Sequence, residues 1–420
     1  MSLELVALII FFITYALIIS ERVHRTLTAL LGGMLMILLG VVSQKDAFLS
    51  IDLNVIFLLA GMMMIAFVMG ETGIFQLIAV QAVKLGRGNP VAIMVIMAGF
   101  TAGASALLDN VTVVVLIAPV TLFVASTLHL NPIPFLITEV IASNIGGAAT
   151  LIGDPPNILI GSAANMDFIY FAANMVPPSF FALLSSLAIS VIIFGPQLHV
   201  TSEHRRSIMR LSTKGLISDR TLLVKSIIIL AMVLVGFLLH GWLHIQPATI
   251  ALSGATLLLV WSRTDPHEVL KHVEWTTLLF FVGLFITVEA LVEVGLIQNA
   301  VDAIIGITDG DLQITSFLLL WFSAFASGLI DNIPYTAAMI PVVEGLAGVM
   351  PLEPLWWALA LGADFGGNLT LVGASANVIV ASLAERSGHR ISFTQFFRYG
   401  LINVIITLII ASLWIWWRYL

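Results

Sequence analysis

Residues 108–112 read Leu-Asp-Asn-Val-Thr and residues 330–334 read Ile-Asp-Asn-Ile-Pro, so each half of the chain has an acid–amide pair within a long apolar run. A glycine-rich break follows each pair. Residues 144–153 read Asn-Ile-Gly-Gly-Ala-Ala-Thr-Leu-Ile-Gly, and residues 364–373 read Asp-Phe-Gly-Gly-Asn-Leu-Thr-Leu-Val-Gly. Polar groups that recur at matching places in apolar segments are typical of transport sites. The duplicated motif therefore predicts both a fold and the location of its site.

The composition is that of a protein that crosses the membrane many times. Hydrophobic residues make up 60% of the 420 residues and charged residues only 10%, too few to cover the surface of a water-soluble domain. The absence of cysteine excludes disulfide bonds, thiolate metal ligands and a cysteine nucleophile. Nothing in the sequence indicates an organic cofactor or a nucleic-acid partner, and Na⁺ is the metal ion that we consider, as a coupling ion.

Apolar runs of membrane-spanning length predict eight uninterrupted helices, at 3–20, 26–42, 55–70, 177–196, 222–240, 247–262, 276–292 and 399–418. Two longer runs, 132–162 and 351–384, contain the glycine breaks and are predicted to be broken helices. Two more, 90–128 and 312–347, have the Asp-Asn pair near the centre, where a straight helix would expose both side chains to lipid. We expect re-entrant hairpins there, because irregular backbone at membrane depth must be buried or line a cavity.

The predicted fold is an all-α polytopic membrane protein made of two inverted repeats. Residues 1–196 form the first repeat and residues 222–420 the second, joined by a polar cytoplasmic linker at 197–221. Five crossings per repeat is an odd number, so the second copy is upside down and the two hairpins enter from opposite faces.

The basic residues orient this topology. All lysines and arginines except Lys45 and Arg418 fall in loops on one side, including Arg205, Arg206 and Arg210 in the linker. The positive-inside rule makes that side cytoplasmic and places both termini outside. We expect an integral protein of a prokaryotic inner (plasma) membrane, in contact with membrane lipid.

The duplicated motif suggests a polar chamber at mid-membrane. Each Asp-Asn pair begins a helix, whose unpaired N–H groups can receive an oxygen-rich solute, while the glycine breaks are expected to expose carbonyls that can receive a cation. The embedded acids are predicted to have no lysine or arginine inside the membrane to pair with, so they would bind a proton or Na⁺ instead. These proton-coupling candidates are Asp109, Asp154, Asp331 and Asp364.

At these residues the sequence resembles the ArsB/NhaD permeases of the ion transporter superfamily, a group of arsenite permeases, NhaD-type antiporters and the melanosomal P protein. The resemblance is carried by residues 108–112 with Pro119 and by residues 143–157, and it covers essentially the whole chain. It implies a scaffold and a transport domain in each protomer, a homodimer, and an elevator mechanism. The motif is more distantly similar to sodium-coupled dicarboxylate transporters, but Asp109 and Asp331 replace a neutral residue of that group.

The resemblance, together with the embedded acids Asp109 and Asp331, places the substrate and ion site on residues of both repeats. In the first repeat these are Asp109, Asn110, Thr112, Asn144, Gly146, Gly147, Thr150, Gly153, Asp154 and Asn157. In the second they are Asp331, Asn332, Thr336, Asp364, Gly367, Asn368, Thr370 and Asn377.

The favoured function is proton-coupled efflux of arsenite or antimonite, because un-ionised arsenous acid needs hydroxyl partners that Asp, Asn and Thr side chains can supply. Na⁺/H⁺ exchange and cation-coupled transport of carboxylates or inorganic anions are the alternatives, and a channel is a more remote one. A soluble ATPase that docks on the basic loops is a further partner to consider. We expect no enzyme: an intramembrane aspartyl protease needs two aspartates, but Asp109 and Asp331 lack the Gly-x-Gly-Asp context.

Overall fold

The structure of the chain, a computed structural model, describes residues 2–20, 22–201 and 213–420. Within these residues the fold is helical, without β-strands. The first half contains α1 (Leu3–Ser20), α2 (Arg25–Leu38), α3 (Gln44–Leu49), α4 (Leu53–Gly70), α5 (Ile74–Leu85), α6 (Pro90–Ser105), α7 (Asn110–Thr127), α8 (Ile133–Ala148), α9 (Pro155–Ala163) and α10 (Phe168–Phe194). The linker predicted at 197–221 includes Arg205, Arg206 and Arg210, which lie outside the described residues.

The second half repeats this order. It contains α11 (Arg220–Leu243), α12 (Pro247–Ser262), α13 (Pro266–Lys271), α14 (Trp275–Glu293), α15 (Leu296–Thr308), α16 (Leu312–Ile330), α17 (Asn332–Gly345), α18 (Glu353–Gly366), α19 (Ser375–Arg386) and α20 (Phe393–Tyr419). The pairs α6–α7 and α16–α17 are the two hairpins, and the pairs α8–α9 and α18–α19 are the two broken helices. Both features therefore occur where the sequence predicts them.

Among the described residues, eight helical segments are long and apolar enough to cross a membrane. They are α1, α3 with α4, α7, α10, α11, α14, α16 and α20. Two of the eight, α7 and α16, are hairpin arms, whereas α2 and α12, predicted as uninterrupted spans, have only 14 and 16 residues.

Three predicted helix boundaries are wrong, each for a local reason. The predicted span 399–418 begins early, at Phe393, where Ser392 caps the helix by accepting the N–H of Gln395 at 3.2 Å. The predicted span 26–42 ends early, at Leu38, because Gly40 has a φ of 71° and the N–H of Val41 bonds back to the carbonyl of Met36 at 2.9 Å, which closes the last turn. The predicted span 177–196 begins early, at Phe168, where Asp167 caps the helix by accepting the N–H of Tyr170 at 2.7 Å.

The two repeats are interlocked. Helix α2 packs on α14 and α4 packs on α12, so each repeat contributes half of a four-helix group made of α2, α4, α12 and α14. The second arm of each hairpin likewise packs on the second half of the other repeat's broken helix, α7 on α19 and α17 on α9. This exchange brings both hairpin tips and both helix breaks to one place.

Within each repeat the hairpin lies tightly against its own broken helix. Helix α6 packs on α8, and α16 packs on α18. A Cβ atom on Gly146 would lie 2.2 Å from the carbonyl oxygen of Ala102, and one on Gly366 would lie 2.3 Å from that of Ala324. Both glycines therefore allow backbone-to-backbone contact that a side chain would prevent.

Candidate transport site

The first hairpin tip is closed by Asp109, the residue that caps α7. Its carboxylate accepts the backbone N–H groups of Val111 and Thr112 at 3.1 and 2.9 Å and also the hydroxyl of Thr112. The next residue, Asn110, donates its backbone N–H to the carbonyl of Gly153 at 3.1 Å. The tip is thus hydrogen-bonded to the helix break of its own repeat. The carboxylate of Asp109 is occupied by the N–H groups at the start of α7.

The second tip has the same cap and, in addition, a cation. Asp331 caps Ile333 at 3.0 Å from a backbone with a φ of 101°, and Asn332 donates its N–H to Gly373 at 3.1 Å. Arg25, the first residue of α2, reaches the Asp331 carboxylate at 3.2 Å and the hydroxyl of Ser375 at 2.5 Å. The prediction that no embedded acid has a basic partner is wrong for Asp331.

The two tips also differ in their neighbours from outside the hairpins. The hydroxyl of Tyr15 donates to the carbonyl of Pro334 at 2.9 Å, which adds a second contact beside the Arg25–Asp331 pair. Glu274, in the loop before α14, lies near Asp109: burial, and then the negative charge of Asp109, raise the pKa of the Glu274 carboxyl. One tip is therefore paired with Arg25, and the other lies near an acid on which the charge of Arg25 also acts.

The glycine breaks are held by two equivalent asparagines. The amide of Asn157 donates to the carbonyls of Gly147 and Thr150 at 3.2 and 3.1 Å. The amide of Asn377 donates to those of Gly367 and Thr370 at 2.8 and 2.9 Å. The sequence predicts that the breaks expose carbonyls for a cation, but each of these four carbonyls binds an amide instead.

Two threonines join each break to its hairpin. The hydroxyl of Thr150 donates to the carbonyl of Ala106 at 2.6 Å, and that of Thr370 donates to the carbonyl of Gly328 at 2.5 Å. Gly153 packs on backbone in the same way, since a Cβ there would lie 2.5 Å from the carbonyl oxygens of Gly147 and Ser105. The glycines and threonines of the motif therefore hold the hairpins against the helix breaks.

Asp154 links the two hairpin tips. Its carboxylate accepts the side-chain amide of Asn110 at 2.6 Å and that of Asn332 at 3.3 Å, and the residue is 1% exposed. The equivalent position in the second repeat is Ala374, which has no polar side chain. This connection between the repeats is thus made from one side only.

Asn144 and Asp364 occupy equivalent positions but have different environments. The Asn144 amide donates to Asn368 Oδ1 at 2.9 Å and to Asn377 Oδ1 at 3.0 Å, and its oxygen receives the Asn110 amide at 3.3 Å. Asp364 is fully buried, and neither of its carboxylate oxygens accepts a hydrogen bond. It lies beside Asn157, and its charge interacts with that of Asp154.

Eight of the eighteen predicted site residues thus meet at one buried centre. Asn110, Asn144, Asp154, Asn332, Asn368 and Asn377 are connected by hydrogen bonds, with Asp364 and Asn157 beside them. Buried oxygens without a hydrogen-bond donor remain on Asn110, Asn157, Thr336 and Asp364. Among the described residues no group of three or more His, Cys, Asp or Glu side chains is arranged to hold a metal ion.

Sequence reasoning misses Arg25, Tyr15 and Ser375 as residues of the site. The charge pattern assigns Arg25 to a cytoplasmic loop, and its partner Asp331 is 306 positions away in the chain, so no local pattern connects the two. The repeat gives one usable signal for Ser375: it directly follows Ala374, the residue equivalent to Asp154.

Two oppositely inserted hairpins that meet two broken helices at a buried polar centre define a membrane transporter. The family model described as CitMHS, citrate transporter, matches residues 15–362, and the chain belongs to this family. An uncharacterized transporter of Mycobacterium bovis is 46% identical over 99% of both chains. The P protein of Sus scrofa is 36% identical over 94% of this chain, which spans 57% of that longer protein.

A solved structure has the same fold. The YdaH transporter of Alcanivorax borkumensis, described as having an unusual topology, superimposes with a TM-score of 0.61 over 91% of this chain and 88% of its own, at 16% identity. The similarity to P protein agrees with the resemblance found in the sequence. The family match gives the citrate transporters rather than the ArsB/NhaD permeases specifically, so that narrower assignment stays a prediction.

Proposed function

We propose that this protein is a secondary active transporter that moves a small oxygen-rich solute through the centre around Asp154, coupled to protons. The observation that carries the proposal is the bonding of Asp154, a buried carboxylate that accepts amides from both hairpin tips. Movement of either hairpin would change the environment of this carboxylate. Solute binding at the tips and proton binding at the acids would therefore affect each other.

The chemistry of the centre favours a neutral or cationic solute over a free polyanion. Its side chains are carboxyl, amide and hydroxyl groups, and the one arginine that reaches it among the described residues, Arg25, is bound to Asp331. Arsenous or antimonous acid is largely un-ionised near neutral pH and can donate to the unpaired oxygens of Asn110 and Thr336. We therefore propose proton-coupled arsenite or antimonite efflux as the activity.

Sodium–proton exchange is the second candidate. Several buried oxygen atoms at the centre lack a hydrogen-bond donor. They belong to Asn110, Asn157, Thr336 and Asp364. Oxygen is the ligand type that hard cations prefer, and dehydration of Na⁺ would be offset at such a centre. Citrate, the substrate in the name of the family, would need its negative charge balanced by helix N-termini or by a bound cation.

We propose an elevator motion of the hairpins and broken helices against the four-helix group and α1. Polar contacts that support this division are the Arg25–Asp331 pair, the Tyr15–Pro334 bond and a hydrogen bond from Ser162 to Asp52. Each of these can be exchanged for water without breaking a helix. We also propose that residues 1–196 and 222–420 form the two repeats and that both termini lie outside. We propose further that the protein is a homodimer and that a soluble ATPase docks at its cytoplasmic face.

A substrate screen tests the function. Purified protein in proteoliposomes, with an imposed pH gradient, would be offered arsenite, antimonite, Na⁺ and citrate separately, with and without Mg²⁺ for citrate. We expect arsenite or antimonite to accumulate against its gradient only when the pH gradient is present. Accumulation of Na⁺ alone would support the second candidate, and electrogenic citrate uptake without arsenite transport would overturn the proposed substrate.

The control variant is Asp219→Asn. Asp219 caps α11 by accepting the N–H groups of Thr221 and Leu222 at 2.8 and 2.9 Å, neither bond involves a hairpin residue, and asparagine is an equally good cap. This variant should transport like the wild type. A single-channel current in a planar bilayer, in place of saturable flux, would indicate a channel.

A further inference from the structure

The repeat symmetry isolates one pair of groups that do not match. Asn144 of the first repeat donates its amide to Oδ1 of Asn377 in the second repeat at 3.0 Å. With the two repeats exchanged, the equivalent pair is Asp364 of the second repeat with Asn157 of the first. There the oxygen of Asn157 has no donor, and both oxygens of Asp364 have no donor either.

An ionised Asp364 could not complete this pair. A carboxylate only accepts hydrogen bonds, whereas a protonated carboxyl group has one O–H to donate. The amide hydrogens of Asn157 are already used by the carbonyls of Gly147 and Thr150, so its oxygen is the side-chain atom that still lacks a partner. Asp364 is fully buried and forms no ion pair with a described residue, an environment that disfavours a charge.

Asp154 is in the opposite situation. It accepts two side-chain amides, from Asn110 and Asn332, and these bonds stabilise the ionised form. Because Asp154 and Asp364 interact electrostatically, ionisation of both carboxyl groups at once is disfavoured. The surroundings of the two carboxyl groups thus favour a negative charge on Asp154 and a proton on Asp364.

We infer that Asp364 binds the coupling proton and donates it in a hydrogen bond to Asn157 Oδ1, while Asp154 remains ionised and holds the two hairpin tips. The inference rests on the proposed function only in linking this proton to solute transport. The step itself is the reversible addition of one proton from water to a carboxylate, with no other bond made or broken.

The other titratable and charged groups around this pair have partners of their own. Asp109 is bonded to the start of α7, and Asp331 is paired with Arg25. Glu139 on α8 accepts the hydroxyls of Thr101 and Thr121 at 3.2 and 2.7 Å. The hydroxyl of Tyr335 on α17 is bonded to Ser323 at 2.9 Å. A proton added at this centre therefore goes to Asp364.

Infrared difference spectroscopy on the purified protein, without any solute, tests the assignment. The wild type should show the carbonyl band of a protonated carboxyl group that disappears as the pH is raised. Asp364→Asn should lack this band, because an amide has no carboxyl group. The variant should still fold, because its amide can donate to Asn157 as Asn144 does to Asn377. Asp154→Asn should keep it. A band lost in Asp154→Asn but kept in Asp364→Asn would overturn the inference.

Thermal unfolding in detergent gives a second readout. The native wild type holds a proton that the unfolded chain releases, so its stability should fall as the pH rises above the range in which an exposed aspartate titrates. Asp364→Asn should fold and lose this part of the pH dependence; an unchanged slope would count against the inference.

If Asp364→Asn does not fold, Asn157→Ala keeps the test open. Removal of the acceptor should shift the carboxyl band to that of a free group, and an unshifted band would overturn the proposal. None of these measurements needs a substrate. A failed substrate screen would therefore leave the proton assignment standing, and a failed infrared test would leave the transport proposal standing.

Discussion

The two repeats are alike where they build the frame and different where they meet. Both tips bond to their own break through Asn110 and Asn332, and both breaks are held by an equivalent asparagine. At the centre, by contrast, Asp154 corresponds to Ala374 and Asn144 corresponds to Asp364. The frame must be symmetric for two hairpins to close on one site, whereas binding of a solute and a proton requires different groups on its two sides.

This comparison separates structural residues from functional ones. Substitutions of the symmetric residues should have similar effects in the two halves and should act on stability. Substitutions at mismatched positions should act on transport and have no equivalent in the other half.

The largest effect is expected for Asp154→Asn. An amide at this position would present its own N–H₂ to the amide of Asn110 or Asn332 and lose a charge-assisted bond. We expect roughly 100-fold slower solute uptake in proteoliposomes, with Asp219→Asn as the matched control. Uptake within a factor of about two of the control, at equal protein, would mean that Asp154 does not join the hairpins in transport.

The next effect is the loss of stability on Gly146→Ala and Gly366→Ala. Each new methyl group would lie against backbone, near Ala102 or Ala324, and each should lower the free energy of unfolding by about 2 kcal/mol. Thermal unfolding in detergent measures both. Gly99→Ala, in α6 with no atom within 4 Å of its added Cβ, should unfold like the wild type. Clearly different losses of unfolding free energy in the two variants would show that the two repeats do not pack equivalently.

A smaller effect is expected for Arg25→Gln, which leaves the charge of Asp331 without its partner. Because the Arg25 side chain is partly exposed, we expect only about a tenfold loss of transport rate. Asp331→Asn introduced into Arg25→Gln should restore part of the rate, since it removes the uncompensated charge. Arg22→Gln is the neighbouring control. Additive losses in the double variant would show that the pair is not coupled.

The smallest effect is expected for Thr150→Val and Thr370→Val. Each loses one hydroxyl bond to the hairpin, to the carbonyl of Ala106 or Gly328, and should be destabilised by about 1 kcal/mol. Chemical unfolding can compare them with Thr127→Val, whose exposed hydroxyl bonds only within its own helix. Unequal losses of stability in Thr150→Val and Thr370→Val would again indicate that the two repeats are not structurally equivalent.

The sequence predicts the frame well because its determinants are local and repeated. Length and apolar character indicate the helices, and the Asp-Asn pairs and glycine breaks indicate the hairpins and interruptions. Helix ends are less predictable: the early end of α2 depends on the positive φ of Gly40. Alignment of the two halves by itself also identifies Asp154, Asn144 and Asp364 as mismatched positions.

The bonding at the site could not be predicted because it crosses between distant segments. No pattern connects Arg25 to Asp331, or Asp154 to Asn332, since these contacts arise only after the two repeats interlock. Nor does the sequence indicate that Asn157 and Asn377 would occupy the carbonyls expected to bind a cation. The substrate itself depends on this three-dimensional set of donors and acceptors.

Proton movement during solute transport tests the central claim most directly. A pH-sensitive dye inside proteoliposomes would record proton flux when solute is added, for the wild type and for Asp364→Asn. The account predicts proton flux in proportion to solute flux in the wild type, and solute exchange without proton flux in Asp364→Asn. Proton flux that stays proportional to solute flux in Asp364→Asn would contradict it.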